Sequence, residues 1–545
     1  MRINKKYIAL CAMSLALGLS SCDNFLDELP DNRMELKNGK DVTDLLVSAY
    51  PQVHPAYLLE LYSDNSDHYD VTGWNDGSQF DREAYSWKDI TDVSETESPQ
   101  ELWQGLYKAI SAANQSLKAI DDLGGGSNLN AQKGEALLCR AYNMFLLSNI
   151  FCNAYSPTTA ASTQGIPYPT QPEEHVGTHY ERGTLKQVYD QINADIEAGL
   201  PLLQDQYTQP KFHFTRAAGY AFAAQFNLYY CNYEKAISYA DKVLGANSAS
   251  NLRDWASFYD LTPNGQTAPN AYISTSENAN ILLVNFNSQW GAMYGAYGAG
   301  NEYAHGRLLT QTEDLQSRGP WGSSSSFGYT TWYNGSFSKY FVNKIPYSFE
   351  VTDQQAKIGF AHCELPVFNT DKLLLVRAEA KALSGDYAGA VADLNMELKA
   401  LSSGRMSTSL SAINTFYDGI ADYKPTAPTV KKPLHPVFAS ITDNTEKNVI
   451  NAILQLRRII TLGEGERMQD VKRYGIVIYR RTLDRGNNVL AVTDSLTVDD
   501  PRRAIQIPQD VISAGLTPNI RTAASQPQPV MYKPEDNSGE QTLSK

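Results

Sequence analysis

The sequence predicts a mostly α-helical protein in which tetratricopeptide-like helical hairpins form a scaffold for long irregular loops and a few short strands. Three observations support this prediction. Apolar residues recur at helical spacing over long stretches, two distant segments repeat one hairpin pattern, and a segment rich in aromatic residues and glycine separates those two segments.

Helical periodicity is clearest in the first part of the chain. Between about Asp41 and Ile120, apolar residues recur three, four and seven positions apart, with Leu102 and Leu106 in one such row. A further helix is predicted from about 131 to 153. Thr184 has the side chain of a helix N-cap, so another helix is predicted to begin just after it.

Two segments, which begin at Arg216 and Asp371, repeat each other. In each, a small residue (Ala224 or Ala378) precedes a tyrosine by nine positions, and an alanine follows that tyrosine by three. Small residues at fixed positions let two antiparallel helices approach closely, as in tetratricopeptide hairpins. The alternative is two unrelated hairpins. Because the repeats are not in tandem, we expect a helical scaffold with insertions rather than a regular solenoid.

Residues 290–349 have a different character. They contain 14 aromatic and seven charged residues, with glycine and serine between them. Glycine disfavours regular helix, so we predict an irregular, aromatic-rich insert. The apolar run 281–286 before it is predicted to be a short buried strand. Tyrosine and tryptophan offer rigid amphipathic surface, which suits the binding of carbohydrate or peptide.

Aromatic and amide side chains in this insert, and near Trp74, are the candidate ligand-binding residues. Sugar rings present apolar C–H faces and hydroxyl edges, so a sugar-binding surface needs flat aromatic rings beside amides and carboxylates. The candidates are Trp74, Asn75, Trp290, Tyr294, Tyr297, Trp321, Trp332 and Tyr333. For any one aromatic the alternative is a place in the core. For the set, few charges and many glycines favour an exposed platform.

Three carboxylates, those of Asp64, Asp67 and Asp70, stand three positions apart. If this segment is a loop, its oxygens could gather around Ca²⁺. The segment lacks the ligand order and the distal glutamate of an EF-hand. We therefore expect ordinary loop solvation or capping and no cofactor, with calcium as the weaker alternative.

Motifs for catalysis are missing from the sequence. It has no Gly-x-Ser-x-Gly elbow, no His-Glu-x-x-His zinc motif and no phosphate-binding glycine loop. The net charge of −14, without a cluster of lysine and arginine, argues against nucleic-acid binding. The sequence therefore predicts a binding protein that is not an enzyme.

The N-terminus has the pattern of a bacterial lipoprotein signal. Basic residues within the first six positions precede the apolar run 7–19, which is too short to span a membrane. Leu19-Ser-Ser-Cys22 then matches a lipobox, whose cysteine is acylated after cleavage; an ordinary secretory signal is the alternative. We predict a signal peptide over 1–21, lipidation of Cys22, an acidic tether over 22–40 and one helical domain over 41–545.

Four further cysteines follow Cys22. Three of them lie in apolar helical stretches, and none has the spacing of a zinc site. The favoured interpretation is small buried hydrophobic residues, while the sequence leaves their pairing undetermined. They are Cys139, Cys152, Cys231 and Cys363.

Charged residues are regularly spaced near the C-terminal end of the domain. Arg467, Asp470 and Arg473 stand three positions apart, so on a helix they would share one face and pair with each other. We interpret them as structural support rather than as a site.

Several motifs together resemble the SusD/RagB family, the outer-membrane nutrient-binding lipoproteins of the Bacteroidetes. The resemblance covers nearly the whole mature chain. In this family Glu-Leu stands between the arginine pair and Glu-Gly, where this chain has Ile460-Thr461. The motifs are Asn24-Phe-Leu-Asp, Glu135-Ala-Leu-Leu-Cys-Arg-Ala-Tyr, Phe214-Thr-Arg-Ala-Ala, Leu375-Val-Arg-Ala-Glu-Ala, Arg457-Arg458, Glu464-Gly-Glu-Arg467, Asp470-Val-Lys-Arg473-Tyr-Gly, Arg503-Ala-Ile-Gln-Ile-Pro508 and Leu516-Thr-Pro-Asn519.

The resemblance implies a function at the cell surface. Members of the family are anchored in the outer membrane by lipid, face the outside and cover a TonB-dependent, SusC-like barrel. The implied ligand is a nutrient glycan, which the protein passes to the transporter. Two alternatives stay open: a peptide ligand, as for RagB-type relatives, and a structural lid for the transporter with little binding of its own.

Overall fold

The structure, a computed structural model, describes residues 36–173, 180–245, 248–261, 265–291, 301–328, 331–334, 339–521, 530–531 and 541–542. The predicted signal peptide, Cys22 and most of the predicted tether lie outside these residues. The first described helix begins at Gly39, so the last two residues of the predicted tether are helical.

Helices make up about half of the described chain. They are α1 Gly39–Leu46, α2 Ala56–Tyr62, α3 Gln79–Tyr85, α4 Pro99–Asp122, α5 Asn130–Phe151, α6 Leu185–Gly199, α7 Arg216–Tyr229, α8 Tyr233–Leu244, α9 Trp255–Tyr259, α10 Thr267–Tyr272, α11 Arg307–Thr312, α12 Thr370–Leu383, α13 Tyr387–Leu401, α14 Leu410–Gly419, α15 Asn444–Ile460, α16 Arg467–Arg473 and α17 Gln509–Ser513. This confirms the predicted fold class.

The strands are shorter and scattered along the chain. They are β1 Asp67–Tyr69, β2 Asn280–Asn287, β3 Tyr303–Ala304, β4 Arg318–Gly319, β5 Gly322–Ser323, β6 Thr331–Asn334, β7 Lys339–Val342, β8 Ser348–Asp353, β9 Ile358–Asn369, β10 Ile478–Leu483, β11 Val489–Leu496, β12 Val530–Met531 and β13 Gln541–Thr542.

Two sheets of more than two strands brace the helices. One has the order β11-β10-β1-β3, with β1 parallel to β10 and antiparallel to β3. The other is antiparallel, with the order β2-β9-β8. The predicted strand 281–286 is therefore confirmed and is one residue longer at each end. Most of its side chains are buried against the helices.

The repeated segments form the predicted hairpins. Helix α7 pairs with α8, α12 pairs with α13, and α12 also packs against α7 and α8, which joins the two hairpins. Alanines at the predicted positions, among them Ala224 and Ala378, are fully buried at these contacts. Because alanine side chains are short, the helix axes approach closely.

The helix-cap prediction is confirmed as well. The Thr184 hydroxyl accepts from the backbone N–H of Gln187, and the Gln187 side chain accepts from the Thr184 N–H, which completes a capping box. Helix α6 then packs on α5 where two glycines meet. A Cβ at Gly199 would lie 3.0 Å from the carbonyl oxygen of Gly134, so side chains there would force the helices apart.

Two helix predictions are wrong in detail. The stretch from Asp41 to Ile120 is four separate helices with β1 between them, because prolines such as Pro51 and Pro55 interrupt the helical hydrogen bonds. Within the insert 290–349, where no helix was expected, Arg307–Thr312 forms a short one.

The four cysteines are free thiols. Cys139, Cys152 and Cys363 are buried, and Cys231 is half-buried, which agrees with their interpretation as small hydrophobic residues. Among the described residues, none of the helices combines the length and the apolar composition that a bilayer crossing requires.

One buried carboxyl group on α13 makes stability depend on pH. Glu397 is completely buried beside Asp371, with Arg253 nearby. Burial raises the pKa of the Glu397 carboxyl well above its usual range, the charge of Asp371 raises it further, and Arg253 lowers it. The folded protein therefore retains a proton that the unfolded chain releases at about pH 4.3.

We predict that Glu397→Gln stabilises the protein increasingly as pH rises. The stability from this group is complete below the unfolded-state pKa and is lost as pH rises toward the folded-state pKa, whereas glutamine stays neutral throughout. Thermal melting of both proteins at about pH 4 and about pH 7 measures the effect. Glu234→Gln, at an exposed position on α8, is the control. A difference in Tm that does not change with pH would refute this account.

Candidate functional site

The segment from Asp64 to Asp70 leads from α2 into β1 and is held by buried arginines. The Arg458 guanidinium donates to the Asp64 carbonyl oxygen at 2.6 Å, to Asn65 Oδ1 at 2.8 Å and to Glu313 Oε2 at 3.0 Å. Arg467 holds the Asp64 carboxylate with two hydrogen bonds of 2.7 and 3.0 Å. Both arginines are almost completely buried, so these bonds fix the segment firmly.

Arg480 holds the residues just before this segment, and Arg481 holds its middle at Asp67. Arg480 donates to the carbonyl oxygens at the C-terminus of α2, including that of Ser63 at 2.7 Å, and its guanidinium stacks 3.9 Å from the Trp87 ring. Arg481 forms a bidentate pair with the Asp67 carboxylate, with both hydrogen bonds at 2.8 Å. The entry into β1 is therefore determined by side chains about 400 positions later in the chain.

Arginines occupy two of the three carboxylates that were named as the weaker calcium alternative. Asp64 and Asp67 are occupied by guanidinium groups, while Asp70 is exposed. Burial alone would raise the pKa of Asp64, but Arg458, Arg467 and Lys432 overcome it and hold the pKa well below its usual range. Across the described ranges, no group of three or more His, Cys, Asp or Glu residues is arranged to hold a metal ion.

The predicted pairing along α16 is also wrong, although its structural interpretation stands. Arg467 pairs with Asp64, Asp470 with Arg457 at 2.8 Å, and Arg473 with Glu379 at 2.7 Å. The helix is buried, so its charges meet partners on other elements instead of each other.

Strand β1 leads into a partly exposed aromatic pair. The Trp74 ring stacks on the Tyr69 ring with centroids 5.0 Å apart and an interplanar angle of 28°. Trp74 is half-buried, and the next residue, Asn75, is exposed. The Asn75 carbonyl oxygen accepts from the Glu302 N–H at 3.1 Å, which joins this loop to the residues before β3.

Tyr69 connects this pair to the insert. Its hydroxyl donates to Asn487 Oδ1 at 3.1 Å and lies so close to Gly306 that a side chain there would have no room. The following residue, Arg307, donates to Tyr333 Oη at 2.7 Å. Arg307 also lies over the Tyr333 ring, 5.3 Å from its centroid. The insert and Trp74 meet at one small apolar cluster, because Leu308 of the insert and Trp74 both pack against it.

Tyr333 is the exposed end of this series of contacts. Its ring is 37% exposed and stacks on Tyr340 with centroids 4.4 Å apart. We name the set Trp74, Asn75, Arg307 and Tyr333 the Trp74–Tyr333 surface. It combines aromatic rings that are held from beneath with an amide and a guanidinium, so it can bind a ligand that has both apolar faces and hydroxyl groups.

Other candidates from the insert do not belong to this surface. Trp290 is fully buried against Tyr57, and Trp321 is 6% exposed with its indole N–H donating to Ser324 Oγ. The assignment of these two tryptophans to an exposed platform is wrong, because both side chains pack into the hydrophobic core. Tyr294, Tyr297 and the Trp332 side chain lie outside the described part of the structure.

Sequence reasoning missed Tyr69 and Arg307. Tyr69 supports Trp74 from below, and Arg307 orients Tyr333. The local sequence offers one weak signal, which is the glycine before Arg307. A glycine is needed there because the hydroxyl of Tyr69, about 240 positions earlier, lies against it.

The comparisons with known proteins find a likeness in the N-terminal sequence and in the fold. Residues 24–228 match the SusD-like family described as starch-binding and associating with the outer membrane. A search of the curated proteins finds no significant match.

Solved structures match over almost their whole length. A SusD superfamily protein from Bacteroides thetaiotaomicron is 19% identical, with a TM-score of 0.59, over 89% of this chain and 100% of its own. A SusD-like carbohydrate-binding protein from Bacteroides vulgatus is 15% identical, with a TM-score of 0.55, over 88% and 96%. A laminarin-binding SusD-like protein is 19% identical, with a TM-score of 0.52, over 89% and 99%.

The chain is SusD-like both in the sequence of its N-terminal part and in its fold, which confirms the family resemblance.

The arginine contacts yield a prediction about stability. Arg458→Met keeps an unbranched apolar stem but removes the guanidinium, which leaves Glu313 and the polar groups of Asp64 and Asn65 with fewer partners in a buried site. We expect a loss of about 3–5 kcal/mol in the free energy of unfolding, measured by chemical denaturation.

The control is Arg216→Met, which breaks the exposed pair with Asp205. Surface pairs of this kind contribute at most about 1 kcal/mol. If the two variants are equally stable, the buried arginines do not hold the site segment.

Proposed function

We propose that this protein is a lipid-anchored, non-enzymatic glycan-binding protein of the outer membrane that delivers its ligand to a SusC-like, TonB-dependent transporter. The observation that carries the proposal is the Trp74–Tyr333 surface on a SusD-like fold.

The chemistry of the surface suits a sugar. Trp74 and Tyr333 expose ring area on which C–H faces can pack, and each ring is backed by a second tyrosine that limits its motion. Asn75 and Arg307 provide hydrogen-bonding groups for ring hydroxyls. Rings that are ordered before binding lose little entropy when the ligand arrives.

Related proteins support the ligand class. The matching family is described as starch-binding, and two of the similar structures are a carbohydrate-binding and a laminarin-binding protein. The sequence identity of those structures is below 20%. We therefore propose glycan as the class and leave the particular sugar to experiment.

We predict that Trp74→Ala and Tyr333→Ala each weaken glycan binding. By analogy with base stacking on aromatic side chains, each change should cost about 1–3 kcal/mol. A glycan array with the soluble protein begun after Cys22 first identifies a ligand, and calorimetry with that ligand then compares the variants.

Tyr259→Ala is the matched control, because Tyr259 is a more exposed aromatic residue that lies outside the surface. Thermal melting verifies that all three variants are folded. If Trp74→Ala and Tyr333→Ala both bind with wild-type affinity, the glycan-binding site lies elsewhere on the protein.

The same experiments separate the alternatives. Binding of peptides but not glycans would favour a RagB-type peptide ligand. Binding of neither, together with recovery of this protein in complex with a large barrel protein after mild detergent extraction, would favour a structural lid.

The lipid anchor is tested separately. We predict that Cys22→Ala prevents acylation and releases the protein from the membrane or leaves its signal uncleaved. Fractionation of cells that carry the tagged variant, with mass spectrometry of the N-terminus, measures this outcome. Cys231→Ala is the control, because Cys231 is a half-buried free thiol outside the signal. Membrane association of Cys22→Ala at the wild-type level would contradict the assignment.

A further inference from the structure

A concave site lies on the face of α4, away from the Trp74–Tyr333 surface. It is a groove of about 460 Å³ that is open on one side. Helix α4 forms the floor, the loop from Pro167 to Glu173 forms one wall, and α17 with Leu516 forms the other. It shares no residue with the Trp74–Tyr333 surface. Its volume is within the range of small-molecule binding sites.

Flat apolar groups line the interior of the groove. Tyr107 is half-buried on one face of α4, and the Trp103 ring, which is 7% exposed, packs against it with centroids 4.9 Å apart. Pro167 and Pro169 face them from the loop, and Tyr180 adds a third aromatic ring. Such surfaces pack well against the C–H faces of sugar rings.

Polar groups are placed mainly toward the opening. Lys108, Ser111 and Gln171 are exposed lining residues on the floor and the loop wall. Glu173 accepts a hydrogen bond from Tyr180 and adds one negative charge to the positive charge of Lys108. Among the described lining residues these two charges balance, which favours an uncharged ligand over a phosphate or a charged peptide.

Side chains of α4 hold the loop wall in place through hydrogen bonds. Tyr107 Oη donates to the Pro167 carbonyl oxygen at 2.7 Å, and Asn114 Nδ2 donates to the Pro169 carbonyl oxygen at 3.0 Å. Arg140 in turn donates to Asn114 Oδ1 at 2.9 Å. The groove is thus ordered before a ligand binds, so the binding free energy is not reduced by ordering the loop.

The same bonds disfavour an extended peptide. Strand addition needs free backbone donors and acceptors along one edge. Pro167 and Pro169 have no N–H, and their carbonyl oxygens already accept from Tyr107 and Asn114. A ligand in this groove is therefore recognised by its faces and hydroxyl groups, not by main-chain pairing.

We propose that the groove on α4 is a second carbohydrate site, which takes a neutral disaccharide-sized part of a glycan independently of the Trp74–Tyr333 surface. The double variant Trp74→Ala/Tyr333→Ala isolates the groove. The probes are maltose, laminaribiose, cellobiose and xylobiose, with hexaproline as the peptide probe. Calorimetry measures affinity, and crystals soaked with each probe locate it.

Ser111→Trp in that background fills the groove from an exposed position. Lys118→Trp is the matched control, since Lys118 is exposed two turns further along α4 and outside the groove. We expect at least one disaccharide to bind against Tyr107 and Tyr180. We expect Ser111→Trp to weaken its binding more than tenfold and Lys118→Trp to leave it unchanged.

Other outcomes overturn the proposal. Equal affinity in the two tryptophan variants, binding of hexaproline alone, occupancy at crystal concentration only, or no occupancy by any disaccharide would each do so. If Ser111→Trp melts early, Gln171→Ala, which changes an exposed lining residue, replaces it. The proposed function is tested separately, because binding at the Trp74–Tyr333 surface is measured with the single variants of that surface.

Discussion

The buried pairing of Arg458 and Arg467 with the Asp64 segment is the interaction on which the rest of the structure depends. A charge removed from water costs several kcal/mol unless partners compensate it. Here the guanidinium groups meet carboxylates and main-chain carbonyls from the other end of the chain. Glu313, from the aromatic-rich insert, joins the same cluster through Arg458 and Lys432. Three distant parts of the sequence are therefore locked together at one point.

This locking explains how an irregular surface becomes a defined one. The Trp74–Tyr333 surface is built from a loop, the first residue of the short helix α11 and the four-residue strand β6, which have little stability of their own. Its position is fixed by two sets of contacts. Arg481 binds Asp67 at the start of β1, and Tyr69 contacts both Gly306 and Asn487. The helical hairpins supply a rigid base, and the buried charges connect the loops to that base.

The groove on α4 is built by a different principle. Helix α4 is regular, and its lining residues follow helical spacing, whereas the proline loop is shaped by residues that cannot continue a helix. Tyr107 and Asn114 hold the loop through its carbonyl oxygens, so one helix face both lines the groove and fixes its wall. The molecule therefore has two candidate binding surfaces that are built in different ways, the aromatic Trp74–Tyr333 surface and the concave groove on α4.

The sequence by itself determined most of the helices, the hairpins, the cap at Thr184 and the SusD-like character of the N-terminal part, because each depends on local spacing or on a contiguous motif. Tertiary structure alone decided which aromatic residues are exposed. Trp290 and Trp321 have the same local setting as Tyr333, with glycine and serine nearby and few charges, yet only Tyr333 remains at the surface. The exposure of a ring depends on which distant elements cover it, and local composition contains no record of those contacts. The same holds for Asp64. Its local sequence does not determine whether its carboxylate is solvated or paired, and only the tertiary structure places Arg467 against it.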